Sequence, residues 1–218
     1  PPVPAPARLP DGADPLDPAS YAPFKGTDYS PERMIEMALR FIRENKDQPF
    51  FLYVPSTIPH VALHVPDEEL EPYLAEGWEE TPFTAAGGYG YTPHMTPKAA
   101  YAAMITHLDT DVGRIMALLK ELDLDENTVV MFSSDNGTTH LDQEVDYEFF
   151  ESVGPLRGLK GSLYEGGIRV PMIARWPGKI APGGVTDHLS AFYDVMPTIA
   201  ELTGATPPPG IDGISFAP

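Results

Sequence analysis

The sequence contains no cysteine, little positive charge and no long apolar run. Without cysteine, the chain has no disulfide, no thiolate metal ligand and no cysteine nucleophile. Its 14 basic residues are outnumbered by 32 acidic ones, and the net charge of −18 disfavours nucleic acid and anionic membranes as partners because its field repels both. No apolar stretch approaches the roughly 20 residues that a membrane-spanning helix needs. An anionic substrate would therefore require a cation placed locally in its binding site.

The chain is long enough to form one large domain with a sizeable core. It has 218 residues, of which 42% are hydrophobic. It begins at Pro1 with neither an initiator methionine nor a charged-then-apolar secretion signal, and this start predicts a fragment. Residues 1–27 are rich in proline and lack an apolar period, so we expect an extended segment there and a folded domain over residues 28–218.

Helical and strand patterns alternate along residues 28–136. Ser30 and Pro31 predict the start of a helix that continues to about Asn45. Residues 49–55 then predict a buried strand, and an acidic, solvated stretch follows over residues 67–80. Thr96 and Pro97 begin the longest helix, whose predicted core stripe is Tyr101, Met104, Ile105, Leu108, Val112, Ile115, Met116, Leu119 and Leu122.

The second half of the chain continues the alternation. Residues 129–133 and 170–174 predict two further apolar strands, and residues 187–191 a short additional one. A last helix is expected from about Asp194 to Leu202, with Gly204 as its carboxyl-terminal stop. The succession predicts an α/β fold in which a mostly parallel sheet is flanked by helices on both faces.

Two oxygen-bearing side chains follow directly after the strand at residues 129–133. Asp135 offers a carboxylate and Asn136 an amide oxygen, which suits a hard cation such as Ca²⁺ or Mg²⁺ better than a metal that prefers nitrogen or sulfur. Asp, Asn and Gly also favour tight turns, so a simple turn at residues 135–137 is the alternative interpretation. The spacing alone leaves both open.

Lys160 and His60 are the candidate groups for binding an anion. Lys160 lies between glycine-rich turns, where the backbone approaches a ligand closely and the ammonium supplies a compact charge. His60 follows the predicted strand at residues 49–55 and is able to donate a proton or a hydrogen bond. An ordinary surface lysine and a loop-packing histidine are the alternatives.

The other histidines show no zinc-binding spacing among themselves. Asp109 and Asp111, which lie beside His107 in the long helix, are interpreted as helix-surface or core-edge groups. Arg157 and Arg169 are expected to pair with acidic side chains, Glu165 among them, in preference to binding an anion.

Taken in order, these segments resemble the sulfatase family, a branch of the alkaline-phosphatase-like superfamily. The resemblance covers about residues 28–214 and is carried by an ordered succession of blocks rather than by one motif. The blocks are 49–54 with Pro59-His60, Leu108-Asp109 to Val112-Gly113, Ser133-Ser134-Asp135-Asn136-Gly137, 157–161 with 165–171, and Asp194-Val195-Met196-Pro197-Thr198.

The resemblance implies a function and a role for each candidate residue. Asp135 and Asn136 would be ligands of a Ca²⁺ ion, with Mg²⁺ the less favoured metal, and His60 and Lys160 would contact the sulfate group. The implied reaction is hydrolysis of a sulfate ester carried by a small molecule or a carbohydrate. Loops 67–95 and 138–155 are the candidates for contacting the leaving group. For location, family resemblance alone suggests the periplasm or secretion.

The sequence departs from the family pattern in two respects. Family members form a formylglycine nucleophile in a Cys/Ser-x-Pro-x-Arg motif near the amino terminus, and this motif is absent here. The chain also stops where family members usually continue into a small carboxyl-terminal subdomain, so we expect an incomplete sulfatase core that is inactive alone. The alternatives are a phosphodiesterase or phosphonate hydrolase of the same superfamily, and a catalytically silent protein that binds an anion or calcium.

Overall fold

A computed structural model describes residues 8–86 and 91–217 of the chain. Residues 1–7 of the expected extended segment, residues 87–90 of the 67–95 loop and Pro218 lie outside the described residues. The described residues contain short 3-10 helices at Pro18–Phe24 and Asp125–Asn127, together with α-helices and strands. These are α1 (Ser30–Asn45), α2 (Asp67–Leu74), α3 (Pro97–Glu121), β1 (Val130–Ser133), α4 (Glu165–Ile168), β2 (Met172–Arg175) and α5 (Phe192–Thr203).

The described part of the chain divides into two compact units. The first comprises the residues up to Leu124 together with Phe132–Met172. The second comprises Asp125–Met131 and the residues from Ile173 onward. All four predicted site residues, from His60 to Lys160, belong to the first unit.

Within the residues preceding α1, part of the segment expected to be extended is folded. Pro18–Phe24 forms a 3-10 helix, which begins where the Asp17 carboxylate accepts a hydrogen bond from the Ala19 amide. Tyr21 and Phe24 are buried with Leu9, and this small cluster packs against Met95. Residues 18–24 are therefore helical rather than extended, because their two buried side chains, Tyr21 and Phe24, pack with Leu9.

The first unit is built on α3, against which α1 and α2 pack. Its main core cluster comprises Ile58, Val61, Leu63, Ala100, Met104 and Val145. Helices α1 and α3 begin at the predicted residues, and the buried face of α3 differs from its predicted stripe. In α1 the buried side is centred on Ile35 and Leu39 and leaves Met37 exposed. In α3 it contains small residues and two polar ones, His107 and Asp111, while Ile105 is exposed.

The strands agree less well with the sequence prediction. Within the described residues β1 and β2 form a two-stranded sheet, and residues 49–55 and 187–191 are not strands. Phe51 and Tyr53 are 68% and 74% exposed, so residues 49–55 are not buried on both faces as predicted. β1 is half-buried and β2 mostly exposed. The α/β class is present, whereas the larger parallel sheet stays a prediction.

The second unit contains α5, which confirms the predicted last helix. It ends at Gly204, whose positive φ of 71° is the left-handed conformation that favours glycine at a helix terminus. At the other end, the Asp194 carboxylate accepts hydrogen bonds from the backbone amides of Ala191 and Ile214, at 2.7 and 2.8 Å. Thr198 adds a third link, since its hydroxyl accepts a hydrogen bond from the Phe216 amide at 3.0 Å. The Asp194 block therefore anchors residues 214–216 to the helix.

Candidate active site

The candidate metal ligands lie in a tight bend at the carboxyl end of β1. The Ser134 hydroxyl donates to the Asn136 carbonyl, and the Asn136 side-chain amide donates to the Gly137 carbonyl, each at 2.8 Å. Because the Asn136 amide nitrogen is used in this way, its Oδ1 remains available as an acceptor. The turn interpretation is thus correct locally, and it leaves the oxygen ligands of Asn136 and the exposed Asp135 available.

The bend at Asp135 and Asn136 is joined to the glycine-rich block at residues 157–167 through main-chain hydrogen bonds. The Gly137 amide donates to the Gly167 carbonyl at 3.0 Å, and the Lys160 amide donates to the Thr138 carbonyl at 2.7 Å. The structure therefore brings Lys160 to the same region as Asp135 and Asn136, although 24 residues separate Asn136 from Lys160 in the sequence.

Glycines make this close approach possible. A Cβ atom on Gly137 would lie 1.9 Å from the Gly166 carbonyl oxygen, and one on Gly166 would lie 2.0 Å from the Gly158 carbonyl oxygen. Neither distance is compatible with a side chain. Gly158 itself has φ +88°, which favours glycine independently of the available space. The glycine punctuation seen in the sequence therefore has a packing role in holding the two loops together.

Three basic side chains lie in or near this block, and they differ in their contacts. Lys160 is half-buried, and in the described ranges its ammonium has no ion pair. The Arg157 guanidinium stacks on the Tyr164 ring at 3.8 Å from the ring centroid, so the predicted pairing with an acid is replaced by a cation–π contact. Arg169 pairs with Glu165 at 3.5 Å, as predicted, on an exposed surface. Among the described residues, the Lys160 ammonium thus has neither an ion pair nor a ring contact and is available for an anion.

His60 has contacts of a different kind. Its Nδ1 hydrogen-bonds with the Val61 carbonyl, and its ring lies edge-on to Tyr91 with centroids 5.9 Å apart. In the part of the chain that the structure describes, no hydrogen bond or ring contact joins His60 to Asp135, Asn136 or Lys160. Its assignment to the same site rests on the family resemblance and stays a prediction.

The donor set at the bend fits part of the shell of a calcium ion. An exposed carboxylate and a free amide oxygen are both hard oxygen ligands, as Ca²⁺ prefers. Ca²⁺ takes about six to eight oxygen ligands, so Asp135 and Asn136 supply a minority of them. The residues fit the ion, and further ligands are needed for tight binding.

A buried carboxyl group lies in the 138–155 loop. Glu144 is 3% exposed, and neither of its oxygens has a hydrogen-bond partner in the described residues. Burial raises its pKa from 4.5 to about 7, because the charged form loses its hydration. No local sequence pattern marks this group, since its burial depends on packing across the unit.

A second polar cluster lies between α1, α2 and α3, around a cavity of about 370 Å³. Glu32, Glu69, His107, Asp111 and Arg114 line it. The sequence signal was the spacing of His107, Asp111 and Arg114, which are four and three residues apart and so share one face of α3. The search for zinc spacing among histidines alone missed it. Asp109 is exposed as predicted, whereas Asp111 is buried.

The sequence model of the sulfatase family matches residues 8–205. The chain belongs to the sulfatase family. Mouse steryl-sulfatase is 33% identical over 198 residues, which cover 88% of this chain and 28% of that protein. Human N-acetylgalactosamine-6-sulfatase is 31% identical over 187 residues, which cover 84% of this chain and 31% of that protein. The chain thus spans less than a third of the length of these two sulfatases.

Solved structures of other proteins show a similar fold. The crystal structure of Ps i-CgsB in complex with k-i-k-neocarrahexaose aligns with a TM-score of 0.71 and 28% identity, covering 88% of this chain and 38% of that chain. The crystal structure of the putative sulfatase yidJ from Bacteroides fragilis aligns with a TM-score of 0.57 and 31% identity, covering 82% of this chain and 38% of that chain, so the fold is that of the sulfatases. Among the described residues, no helix combines the length and the hydropathy that crossing a bilayer requires.

Proposed function

We propose that this chain contributes part of the active site of a sulfuric ester hydrolase. The carrying observation is the pair of main-chain hydrogen bonds that joins the Asp135 and Asn136 bend to the Lys160 block. It gathers two oxygen ligands and an available ammonium in one region of a strongly acidic protein. Such a combination attracts both a divalent cation and the sulfate group that the cation would help to hold.

Each residue has a distinct task in this proposal. Asp135 and Asn136 hold Ca²⁺, which when bound would neutralise charge on the sulfate oxygens. Lys160 binds a sulfate oxygen through its ammonium and stabilises the negative charge there. His60 hydrogen-bonds the ester and assists departure of the alcohol by donating a proton to its oxygen. Ca²⁺ is favoured over Mg²⁺ because it tolerates the irregular ligand set of a loop.

The proposed enzyme needs more of the site than these four residues. The formylglycine nucleophile expected for the family has no counterpart motif in this sequence. We therefore expect no turnover of an aryl sulfate by the 218-residue chain alone. We also propose that β1, β2 and the unpaired residues 49–55 belong to a mostly parallel sheet in the complete enzyme. The exposed Phe51 and Tyr53 support this, because a covering layer would bury them.

The substrate proposed is a sulfate ester on a carbohydrate or another small molecule. The carbohydrate class is supported by the similarity to N-acetylgalactosamine-6-sulfatase and to Ps i-CgsB in complex with k-i-k-neocarrahexaose. A sulfate ester on another small molecule is supported by the similarity to steryl-sulfatase. A competition experiment separates the two classes. N-acetylgalactosamine 6-sulfate and a steroid sulfate are each added to the chain with bound 4-nitrophenyl sulfate, and ligand NMR shows which of the two displaces it.

Calcium titration tests the metal ligands. By calorimetry, the wild-type chain is expected to bind Ca²⁺ weakly, with a Kd of about 10⁻³ M or above, because only two ligands are present. Asp135→Asn should weaken binding further, whereas the exposed Asp142→Asn in the neighbouring loop is the matched control and should not. Equal Ca²⁺ affinity of wild type and D135N would contradict the assignment.

Anion binding tests Lys160 separately. Lys160→Met keeps the aliphatic stem and removes the charge, so binding of 4-nitrophenyl sulfate should weaken several-fold in ligand NMR titrations. Lys46→Met, at the exposed end of α1, is the control and should bind like wild type. A K160M variant that binds the aryl sulfate as well as K46M does would exclude Lys160 from the site.

A further inference from the structure

The second polar cluster is assembled by three helices of the first unit. α1 contributes Glu32 from its first turn, α2 contributes Glu69 from its first turn, and α3 contributes His107, Asp111 and Arg114. None of these residues takes part in the proposed sulfate site. The cluster lines a cavity of about 370 Å³, which leaves room for an ion and its water molecules.

The imidazole of His107 is held with one nitrogen directed at a carboxylate. Its Nδ1 lies 2.7 Å from Glu69 Oε2, and a carboxylate oxygen accepts, so Nδ1–H donates a hydrogen bond to Glu69. A carboxylate that binds one ring nitrogen in this manner orients the ring and makes the other nitrogen a better metal ligand.

The second ring nitrogen has no hydrogen-bond partner. His107 is only 6% exposed, and within the described ranges Nε2 accepts or donates no hydrogen bond. It faces Asp111 Oδ2 at 3.5 Å, which is longer than a normal N–H···O bond. A buried lone pair beside a carboxylate oxygen is unfavourable unless a positive charge lies between them.

The charges of the cluster leave space for that positive charge. Arg114 bonds both oxygens of Glu32 at 2.9 Å and contacts Asp111 Oδ1 at 3.3 Å. Three carboxylates, those of Glu32, Glu69 and Asp111, thus face this cavity, and Arg114 is the basic side chain among its lining residues. Tyr29 closes the other side of the ring with centroids 5.0 Å apart, and its buried hydroxyl has no partner among the described residues.

We propose that Glu32, His107 and Asp111 bind one divalent transition-metal ion, for which Zn²⁺ is the best chemical match. Their ligand atoms lie within 4.8 Å of one another, and side-chain adjustments of about 1 Å bring them to Zn–N and Zn–O distances of about 2.0–2.2 Å. One imidazole with two carboxylates suits Zn²⁺, whereas Ca²⁺ and Mg²⁺ prefer oxygen alone. Glu69 is the positioning residue of this site.

The ion would join α1 directly to α3, and through Glu69 also to α2. Zn²⁺ is therefore expected to stabilise the folded chain by RT ln(1 + [Zn²⁺]/Kd), so the thermal midpoint should keep rising with free Zn²⁺ above the Kd. The site is independent of the sulfate site, so the two proposals stand or fall separately.

Zn²⁺ titration of the purified 218-residue chain tests the proposal. Calorimetry and thermal unfolding followed by circular dichroism are measured for wild type, His107→Asn and Asp111→Asn. Each ligand variant should lose at least about 100-fold in Zn²⁺ affinity, and Glu69→Gln about 10- to 100-fold. His188→Asn removes an exposed imidazole outside the cluster and should leave the affinity unchanged. Asp135→Asn should also leave it unchanged, which separates this site from the calcium site.

The visible absorption spectrum of bound Co²⁺ distinguishes a metal ligand from a residue that only stabilises the fold. Co²⁺ should give visible absorption bands of a low-coordinate nitrogen and oxygen site in wild type and E69Q, and none in H107N. The proposal is overturned if wild type binds neither ion, or if H107N binds Zn²⁺ as tightly as H188N does. If H107N fails to fold, nitrogen-15 NMR of histidine-labelled wild type decides. A Zn²⁺-induced shift of a single buried Nε2 supports the site, and unchanged imidazole resonances overturn it.

Discussion

Protonation of one buried side chain, Glu144, is expected to make the free energy of unfolding depend on pH. Its folded pKa of about 7 is above its ordinary value of 4.5, so the folded state keeps a proton that the unfolded state releases. The associated stability is fully present below pH 4.5 and is lost as the pH rises to about 7, a loss of about 3 kcal/mol. Glu144→Gln should therefore raise the free energy of unfolding by about 2–3 kcal/mol at pH 8 and change it little at pH 5.

Urea unfolding at the two pH values measures this difference. Glu148→Gln, an exposed glutamate in the same loop, is the control and should change the free energy of unfolding at neither pH. A gain for E144Q that is the same at both pH values would mean that Glu144 does not titrate between them.

The candidate residues differ in how far sequence reasoning reaches them. Asp135, Asn136 and Lys160 stand out because strand ends and glycine-flanked lysines have local signatures, and the hydrogen bonds of Gly137 and Lys160 bring those signatures together. His107 has no such signature. Its environment is formed by α1 and α2, whose contributions to a common site follow from helix packing and not from any local spacing.

At the scale of elements, the interlocked glycines determine whether the two loops of the candidate site stay together. An alanine Cβ at Gly166 would meet the Gly158 carbonyl at 2.0 Å, and one at Gly137 would meet the Gly166 carbonyl at 1.9 Å. Because backbone atoms must move to relieve either overlap, Gly166→Ala and Gly137→Ala should each lower the free energy of unfolding by about 1–3 kcal/mol. Hydrogen exchange of the Lys160 amide should also accelerate.

Gly113→Ala in α3 is the matched control for these substitutions. No atom lies within 4 Å of its Cβ position, so the change should raise the free energy of unfolding by about 0.5–1 kcal/mol. If urea unfolding finds G166A as stable as G113A, the tight contact between Gly166 and Gly158 does not exist in solution.

In the second unit, the Asp194 side chain holds residue 214 against α5 through a hydrogen bond. Hydrogen bonds from the Ile214 and Ala191 amides lower the pKa of its carboxyl group, so its contribution is present above pH 3.8 and lost as the pH falls through the folded pKa. Asp194→Asn replaces one acceptor oxygen by an amide donor. It should lower the thermal midpoint at pH 7 and speed hydrogen exchange at Ile214, whereas exposed Asp187→Asn should do neither. Unchanged exchange at Ile214 would show that the contact is dispensable.

The helices were predicted better than the strands for a physical reason. α1 and α3 each have a proline in the first helical turn and α5 ends at a glycine, so these bounds follow from local sequence. Residues 49–55 have strand composition, but a strand forms only where a partner supplies hydrogen bonds. In the described residues β1 pairs with β2, whereas residues 49–55 pair with no strand. Burial in α3 likewise depends on the helices packed against it, so His107 and Asp111 are buried although they lie outside the predicted apolar stripe.

On the scale of the whole molecule, the chain combines a strongly negative surface with a few locally compensated sites. The net charge is −18, so 18 acidic charges stay uncompensated even if every basic residue forms an ion pair, as Arg114 does with Glu32 and Lys98 with Asp146. Two places where cations are proposed, the Asp135 bend and the His107 cluster, are also places where negative charge or oxygen ligands converge. Metal binding would therefore add to stability by relieving repulsion as well as by making bonds.

Added salt is expected to stabilise the chain as a whole. Raising NaCl from about 0.01 M to about 0.1 M shortens the Debye length from about 30 Å to about 10 Å, which screens repulsion among distant carboxylates more than it weakens close ion pairs. Measured by circular dichroism with a chelator present, the thermal midpoint should rise by about 2–4 °C and then level off. KCl at equal ionic strength should act alike because the effect is screening. A midpoint that falls with salt would mean that attractive pairs outweigh the repulsion of the −18 charge.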